Sequence, residues 1–387
     1  PTAEIRCGIL TMREKWALHF QTNNFSYFTR DYLSQKFPLV LEDDNILLNG
    51  SVCPFPEYIE EIKSLEKRQQ LVYEDKVIAI RMPREELEQI LRHTDEVPYY
   101  ELLQKSDVHK VRSQYKPISI DNLWDIFTKN GEALTLDYNF LTKGKNSQPV
   151  SATNQVLGAH QIFLEEGAIV ECSMINALGG PVYIGKGAEI MEGCMIRGPF
   201  ALCEGSALKM GAKIYGPTTI GPHSKVGGEV NNSVIIGYSN KGHDGFLGNS
   251  VIGEWCNLGA DTNNSNLKNN YGEVQIYSHF KNTYIKTGLQ FCGLIMGDHS
   301  KSAINTMFNT GTVIGVNANV FGGGFPPKFI PSFSWGGDGS FSEYSLDKAM
   351  EVASKVYERR SMFFDLNEQA LCAKIFEITA NQRKVRG

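Results

Sequence analysis

His243 is the side chain of this chain best placed to do chemistry. It stands in residues 237–250, GYSNKGHDGFLGNS, with Gly242 on one side and Asp244 and Gly245 on the other. A histidine in a glycine-flanked loop can be presented to a substrate. Its ordinary pKa suits a general base near neutral pH. The competing reading is an ordinary surface or interface histidine. His299, in DHSK at 298–301, is a second candidate. It falls in a regular repeat and is expected to face solvent or the neighbouring coil.

The element that must hold such a loop is visible as a period. Every sixth residue from Leu178 is aliphatic: Leu178, Ile184, Ile190, Ile196, Leu202, Leu208, Ile214, Ile220 and Val226. Four residues after those from Ile184 to Ile220 come Ala188, Cys194, Phe200, Ser206, Ala212, Thr218 and Ser224, all small but Phe200. Neither a helix nor a plain strand has a period of six. A short strand that turns a corner and repeats does, which is the hexapeptide pattern of a parallel β-helix. The pattern returns at Ile252 and Leu258, and again from Met296 through Ser302, Phe308 and Ile314 to Val320. The coil is therefore expected to be interrupted near 227–251 and 263–295, with the intervening residues looped outside it.

Composition bounds the function. The chain has 387 residues, 42% hydrophobic and 21% charged, with a net charge of −5. An acidic chain argues against a nucleic-acid partner, which needs a basic face. The 8 cysteines contain no CxxC pair, and Cys194 and Cys256 sit at inward positions of the repeat. This points to a reducing cytoplasm, without disulfide scaffold or zinc site. No apolar run approaches a membrane span, and no signal peptide is visible. The chain opens at Pro1 without an initiator Met, so the missing signal carries little weight.

Residues 1–150 read as an α/β domain. NILLNGSV at 45–52 and VIAIRM at 77–82 are strands, and residues 56–65, a segment starting at Pro83 and DNLWDIFT at 121–128 are helices. The alternation predicts a parallel or mixed sheet. Residues 144–155 are a polar linker, 151–325 the β-helix, and 326–387 an aromatic and glycine-rich loop followed by helices. That loop either folds back over the coil end or walls a ligand site. Ser345 and Asp365 are the expected caps of the two helices, Asp365 with Glu368 forming a capping box.

Residues 242–262, GHDGFLGNSVIGEWCNLGADT, resemble the acetyltransferase half of bifunctional glucosamine-1-phosphate N-acetyltransferase / N-acetylglucosamine-1-phosphate uridylyltransferases, where the pattern is GHLTYLGDxxIGxxxNIGAGT. SNLK at 265–268 and SKSAIN at 300–305 are similar to blocks of the archaeal sugar-1-phosphate nucleotidylyltransferase/acetyltransferases. RCGILTMREKW at 6–16 and the overall layout look most like the alternative Bacteroidetes-type form of this family. The resemblance is specific over 184–325 and weaker in the first domain. It implies a left-handed β-helix and a homotrimer. His243 would take a proton from the amine of an amino-sugar phosphate as that amine attacks acetyl-CoA. Asn266 would hold the sugar or the acetyl carbonyl. Lys213, Lys241 and Lys268 would line the substrate as point charges. The family's tyrosine is Phe246 here, and a second phosphate-contacting lysine falls at Asn231.

For the first domain the resemblance implies nucleotidyl transfer from a nucleoside triphosphate with Mg²⁺. The glycine-rich triphosphate loop is not found, and the resemblance would place it upstream of Pro1. Arg6, Arg13 and Lys15 would then be the basic residues that follow it. Asn49 stands where an aspartate would hold the metal, with Asp121 or Asp137 as a second carboxylate. Three readings remain open. The chain is a bifunctional maker of a nucleotide sugar, a single-activity transferase, or a non-enzymatic β-helix scaffold. The third is disfavoured because a pure scaffold needs no insertions.

Overall fold

A computed structural model describes residues 1–91, 108–337 and 340–384. By contacts the chain divides into two units. One comprises residues 1–5 and 10–121, the other residues 6–9 and 122–387. The boundary thus lies earlier than the polar stretch at 144–155, and four early residues belong to the later unit.

The first unit is built on a four-stranded mixed sheet, in the order Asp44–Leu48, Lys76–Pro83, Gln69–Tyr73, His109–Arg112. The first two pairings are antiparallel and the last is parallel. Helix Met12–Phe20 begins at a capping box between Thr11 and Glu14. Helix Pro56–Lys63 buries Tyr58, Ile59 and Ile62 against Leu71 and Ile78. Pro83 closes a strand, and the helix after it is Arg84–Leu91.

The second unit is a parallel β-helix with three faces. Strand Gln155–Leu157 starts the first face, Ile162–Leu164 the second and Ile169–Val170 the third. The six-residue period appears directly in the register: Ile190 pairs with Leu208, and Leu208 with Val226, one coil apart. These aliphatics point inward and form one core with Ile184, Ile196, Leu202, Ile214 and Ile220. The small residues do more than fit the corners. Ser206 Oγ accepts from Ser224 N–H at 3.1 Å, Ser224 Oγ from Ser239 N–H at 3.2 Å, and Ser239 Oγ from Cys256 N–H at 2.9 Å. Each hydroxyl satisfies a backbone donor one coil on, inside a core with no water to do it.

The expected interruption at 227–251 is not a loop. Strands Glu229–Asn231, Val234–Gly237, Asn240–Lys241 and Phe246–Gly248 continue all three faces. Val226 pairs with Lys241, 15 residues on, so this coil has tighter corners and the six-residue period slips without the chain leaving the coil. The second interruption is real. Asn257 pairs with Lys301, and between these coils an antiparallel hairpin, Gln275–Ser278 with Thr283–Lys286, leaves the helix. Its Tyr277 stacks on Phe329 with ring centroids 3.6 Å apart.

The glycine and aromatic segment forms the last coil, with strands Phe329–Ile330 and Ser334–Gly337 and Phe333 fully buried. Helix Leu346–Glu358 follows without a side-chain cap from Ser345, whereas Asp365 caps Leu366–Ile378 by accepting from Glu368 N–H. His299 is half-buried at a corner and packs against the neighbouring coil. It lies in a column with Trp255 and Tyr357, its ring nearly parallel to both.

Residues 6–9 are tied into the second unit by polar groups. Fully buried Asn130 accepts from Gly8 N–H at 2.7 Å and donates to the Pro217 carbonyl at 3.1 Å. Asp137 accepts from Ile9 N–H at 2.7 Å, which explains its burial better than a metal would. Asn130→Ala is expected to cost about 2 kcal/mol in urea unfolding, since it leaves the buried Gly8 N–H and the half-buried Pro217 carbonyl unpaired. An unchanged midpoint would show that these bonds contribute nothing net.

Candidate functional site

His243 occupies the corner between the third face, strand Asn240–Lys241, and the first face, strand Phe246–Gly248. Its side chain is exposed and lines a cavity of about 330 Å³ with Lys209, Met210, Asp244 and Asp261. The rest of the lining is Gly227, Gly228, Gly242 and Ala260. The cavity exists because these corner residues are small. A Cβ at Gly242 would meet nothing within 4 Å, so a side chain there would extend into open space. Gly245 is required for a different reason. Its φ is +118°, and a Cβ would lie 2.3 Å from the Thr262 carbonyl oxygen. The turn presenting the imidazole can therefore be made only with glycine at that place.

The cavity joins a base, two carboxylates and a cation on backbone-walled ground. The imidazole can take a proton from an amine, and Lys209 can pair with a phosphate as a point charge. Lys209 was not among the residues singled out from the sequence. It follows inward Leu208 as Gly227 follows Val226 and Gly242 follows Lys241, and that alignment of corner residues would have found it. Further along the same corner row come Gly259, Ala303 and Phe321. Phe321, Trp335, Gly336, Gly337 and Phe341 line a second cavity of about 430 Å³. Gly242 and Phe321 are three coils apart, roughly 14 Å at the usual strand spacing.

The other expected substrate contacts are distributed more widely. Lys213 is exposed on the first face, in register with Glu229, which in turn pairs with Phe246. Phe246 lies over Gly248, where a Cβ would meet its ring at 2.5 Å. Asn231 pairs with Gly248 at the far end of that face. Asn266 is at the same far corner, donating from Nδ2 to Asn249 Oδ1 at 2.8 Å. The whole strand Phe246–Gly248 thus separates Asn266 from His243, and one chain does not bring them together. Lys268 is drawn into the inserted segment, its Nζ bonded to the Glu273 carbonyl. Lys241 points into the coil rather than to the cavity surface. Only 2% of it is exposed, and burial pulls its pKa down to about 8 against the pull of Asp244 and Asp261.

The basic residues near the start of the chain are engaged. Arg6 is 6% exposed and donates to the carbonyls of Ile236 and Ile9, both within the second unit. In the first unit Arg13 pairs with Glu4 at 2.8 Å and lies over the Phe25 ring. Lys15 is buried, and burial together with Lys15 lowers the pKa of His19 to about 4.

The family model described as sugar nucleotidyl transferase matches residues 1–146. Those residues are similar to the sugar nucleotidyl transferase family. A bifunctional sugar-1-phosphate nucleotidylyltransferase/acetyltransferase of Sulfurisphaera tokodaii is 33% identical over 146 residues, 37% of this chain and 36% of that protein. Bifunctional protein GlmU of Methanococcus aeolicus is 32% identical over 90 residues, 23% of this chain and 21% of that protein. The chain thus matches only about a fifth to a third of the length of these relatives. Among solved structures, Arabidopsis UDP-N-acetylglucosamine acyltransferase aligns over 61% of this chain and 94% of its own, at 13% identity and a TM-score of 0.23.

That similarity sharpens the question of magnesium in the first unit. Asn49 uses its amide on the backbone: Nδ2 donates to the Val77 carbonyl at 2.8 Å, and Oδ1 accepts from Ser51 N–H at 3.0 Å. Asp121 is held by Lys76, which also donates to Ser119 Oγ at 2.8 Å. A hard dication needs free, charged oxygens. One carboxylate already paired with a lysine and one amide already spent on the backbone fit it poorly, and among the described residues there is no cluster of three acidic, His or Cys side chains for a metal.

Proposed function

We propose that the second unit transfers an acetyl group from acetyl-CoA to the amine of an amino-sugar phosphate at the His243 cavity. The reading rests on one observation, an exposed imidazole presented beside Lys209 in a glycine-walled corner of a β-helix. The amine nitrogen attacks the thioester carbonyl, His243 takes the amine proton, and the C–S bond breaks to release CoA thiol. Lys209 holds the sugar phosphate, with Lys213 on the adjoining face. The corner row leading to Trp335 and Phe321 gives an elongated thioester a path with an aromatic end. Side-by-side packing of three copies would set the Asn266 corner of one prism against the His243 corner of the next. Exposed Met174, Met195 and Met307 on the first face favour such packing. The sugar nucleotidyl transferase match supports nucleotidyl transfer by the first unit, so that the chain makes a nucleotide sugar in the cytoplasm, where both co-substrates occur. No described helix is long and apolar enough to cross a membrane.

Free-thiol release from acetyl-CoA with glucosamine-1-phosphate tests the first reaction. Silence with several amino-sugar phosphates would remove it. The engaged Asn49 and Asp121 favour a second reading, in which only acetyl transfer operates. Pyrophosphate release from UTP or dTTP with a sugar-1-phosphate and Mg²⁺ separates the two. Its absence beside active thiol release leaves a single-activity acetyltransferase.

A further inference from the structure

The third face of the coil carries an inward row in which Ile190, Leu208 and Val226 are followed by Lys241 and then Leu258. A lysine in a row of aliphatics is costly, because the ammonium leaves water. The fold alone would be served by methionine or leucine, which fill the same length without the charge. The amine therefore does something an aliphatic cannot. Its Nζ donates to the Gly227 carbonyl at 2.8 Å and to the His243 carbonyl at 3.0 Å. Both residues line the cavity, and they stand on adjacent coils. Asp244 and Asp261, also in the lining, supply the opposing charge. Gly228 keeps the space clear: its φ is +71°, and a Cβ would come within 2.9 Å of Nζ.

We propose that Lys241 is a positioning residue for His243, an internal ammonium that ties the 242–245 turn to the adjacent coil and so fixes where the imidazole is presented. This departs from a direct contact between Lys241 and substrate phosphate. It deepens the acetyl-transfer reading and rests on that reading for its kinetic arm only.

The test uses full-length Lys241→Met and Lys241→Leu, two neutral side chains of suitable length, so that a packing failure of one does not decide the matter. Two quantities are read: steady-state thiol release with acetyl-CoA and glucosamine-1-phosphate, and amide hydrogen exchange at Gly227, Glu229 and Asp261, whose N–H groups bond to the carbonyls of Lys241, Gly245 and Asp244 in and beside the turn. The expected result is a fall in kcat of about tenfold or more with KM for the sugar phosphate little changed, together with exchange about tenfold faster at these three amides. A loss carried by KM alone indicates a phosphate ligand and overturns the proposal. An unchanged kcat overturns it too, as does exchange of these three amides at the wild-type rate. If wild type releases no thiol with any amino-sugar phosphate, the acetyl-transfer reading falls, and the exchange measurement alone decides the role of Lys241.

Discussion

His243→Ala is expected to slow thiol release by about 10²–10⁴-fold, the usual worth of a positioned general base. The same substitution should leave stability within about 0.5 kcal/mol, because the side chain is exposed on a corner and supports no core contact. The loss should appear in kcat, since the imidazole acts on a proton in flight rather than on the bound sugar. Lys209→Met is the informative companion. A phosphate contact made equally before and during the reaction should raise KM and spare kcat. An alanine variant that keeps its rate within a few-fold would sink the base assignment, whatever happens to KM.

Lys241 should also leave a signature on stability against pH. Burial lowers its pKa from 10.5 to about 8 in the folded chain. Between those two values the unfolded chain holds a proton that the native state has released. Stability contributed through this group therefore rises as pH rises across that window, up to about 3 kcal/mol at its top. Below pH 8 both states carry the proton, and the folded protein bears the full cost of the buried charge. Many other groups titrate in the same range, so the quantity to measure is the difference between wild type and Lys241→Met. Urea midpoints at pH 7.5, 8.5 and 9.5 should show the wild type gaining on the variant. Parallel profiles would mean that the ammonium is not desolvated.

Much of the β-helix could be read from the sequence because its repeat is strictly local. An aliphatic at every sixth residue from Leu178 to Val226 reports the coil one corner at a time. The reading failed where corners change length. From Val226 to Lys241 the coil tightens, the period slips, and an in-coil segment looks like a loop. His243 was visible because its glycine neighbours are adjacent in sequence. Lys209 was not, because the glycines that make room for it lie one and two coils further on. Lys241 illustrates a different limit. Residue type says that lysine faces water, and only the register with Val226 shows it facing inward. Arg6 and Asn49 were expected to meet phosphate or metal, yet both spend their donors on backbone carbonyls, which sequence spacing cannot reveal.

The division of the chain bears on how it can be made. The hydrogen-bond partners of residues 6–9, Asn130, Asp137 and Thr219, come more than a hundred residues later in the chain. Vectorial synthesis therefore leaves this short segment waiting for its partners, and the second unit closes only when the segment is captured. No single cleavage can separate the two units intact. A fragment beginning at Asn122 would carry Asn130 and Asp137 without their bonds to Gly8 and Ile9, and such a fragment should regain its order only when a peptide spanning 6–9 is supplied in trans.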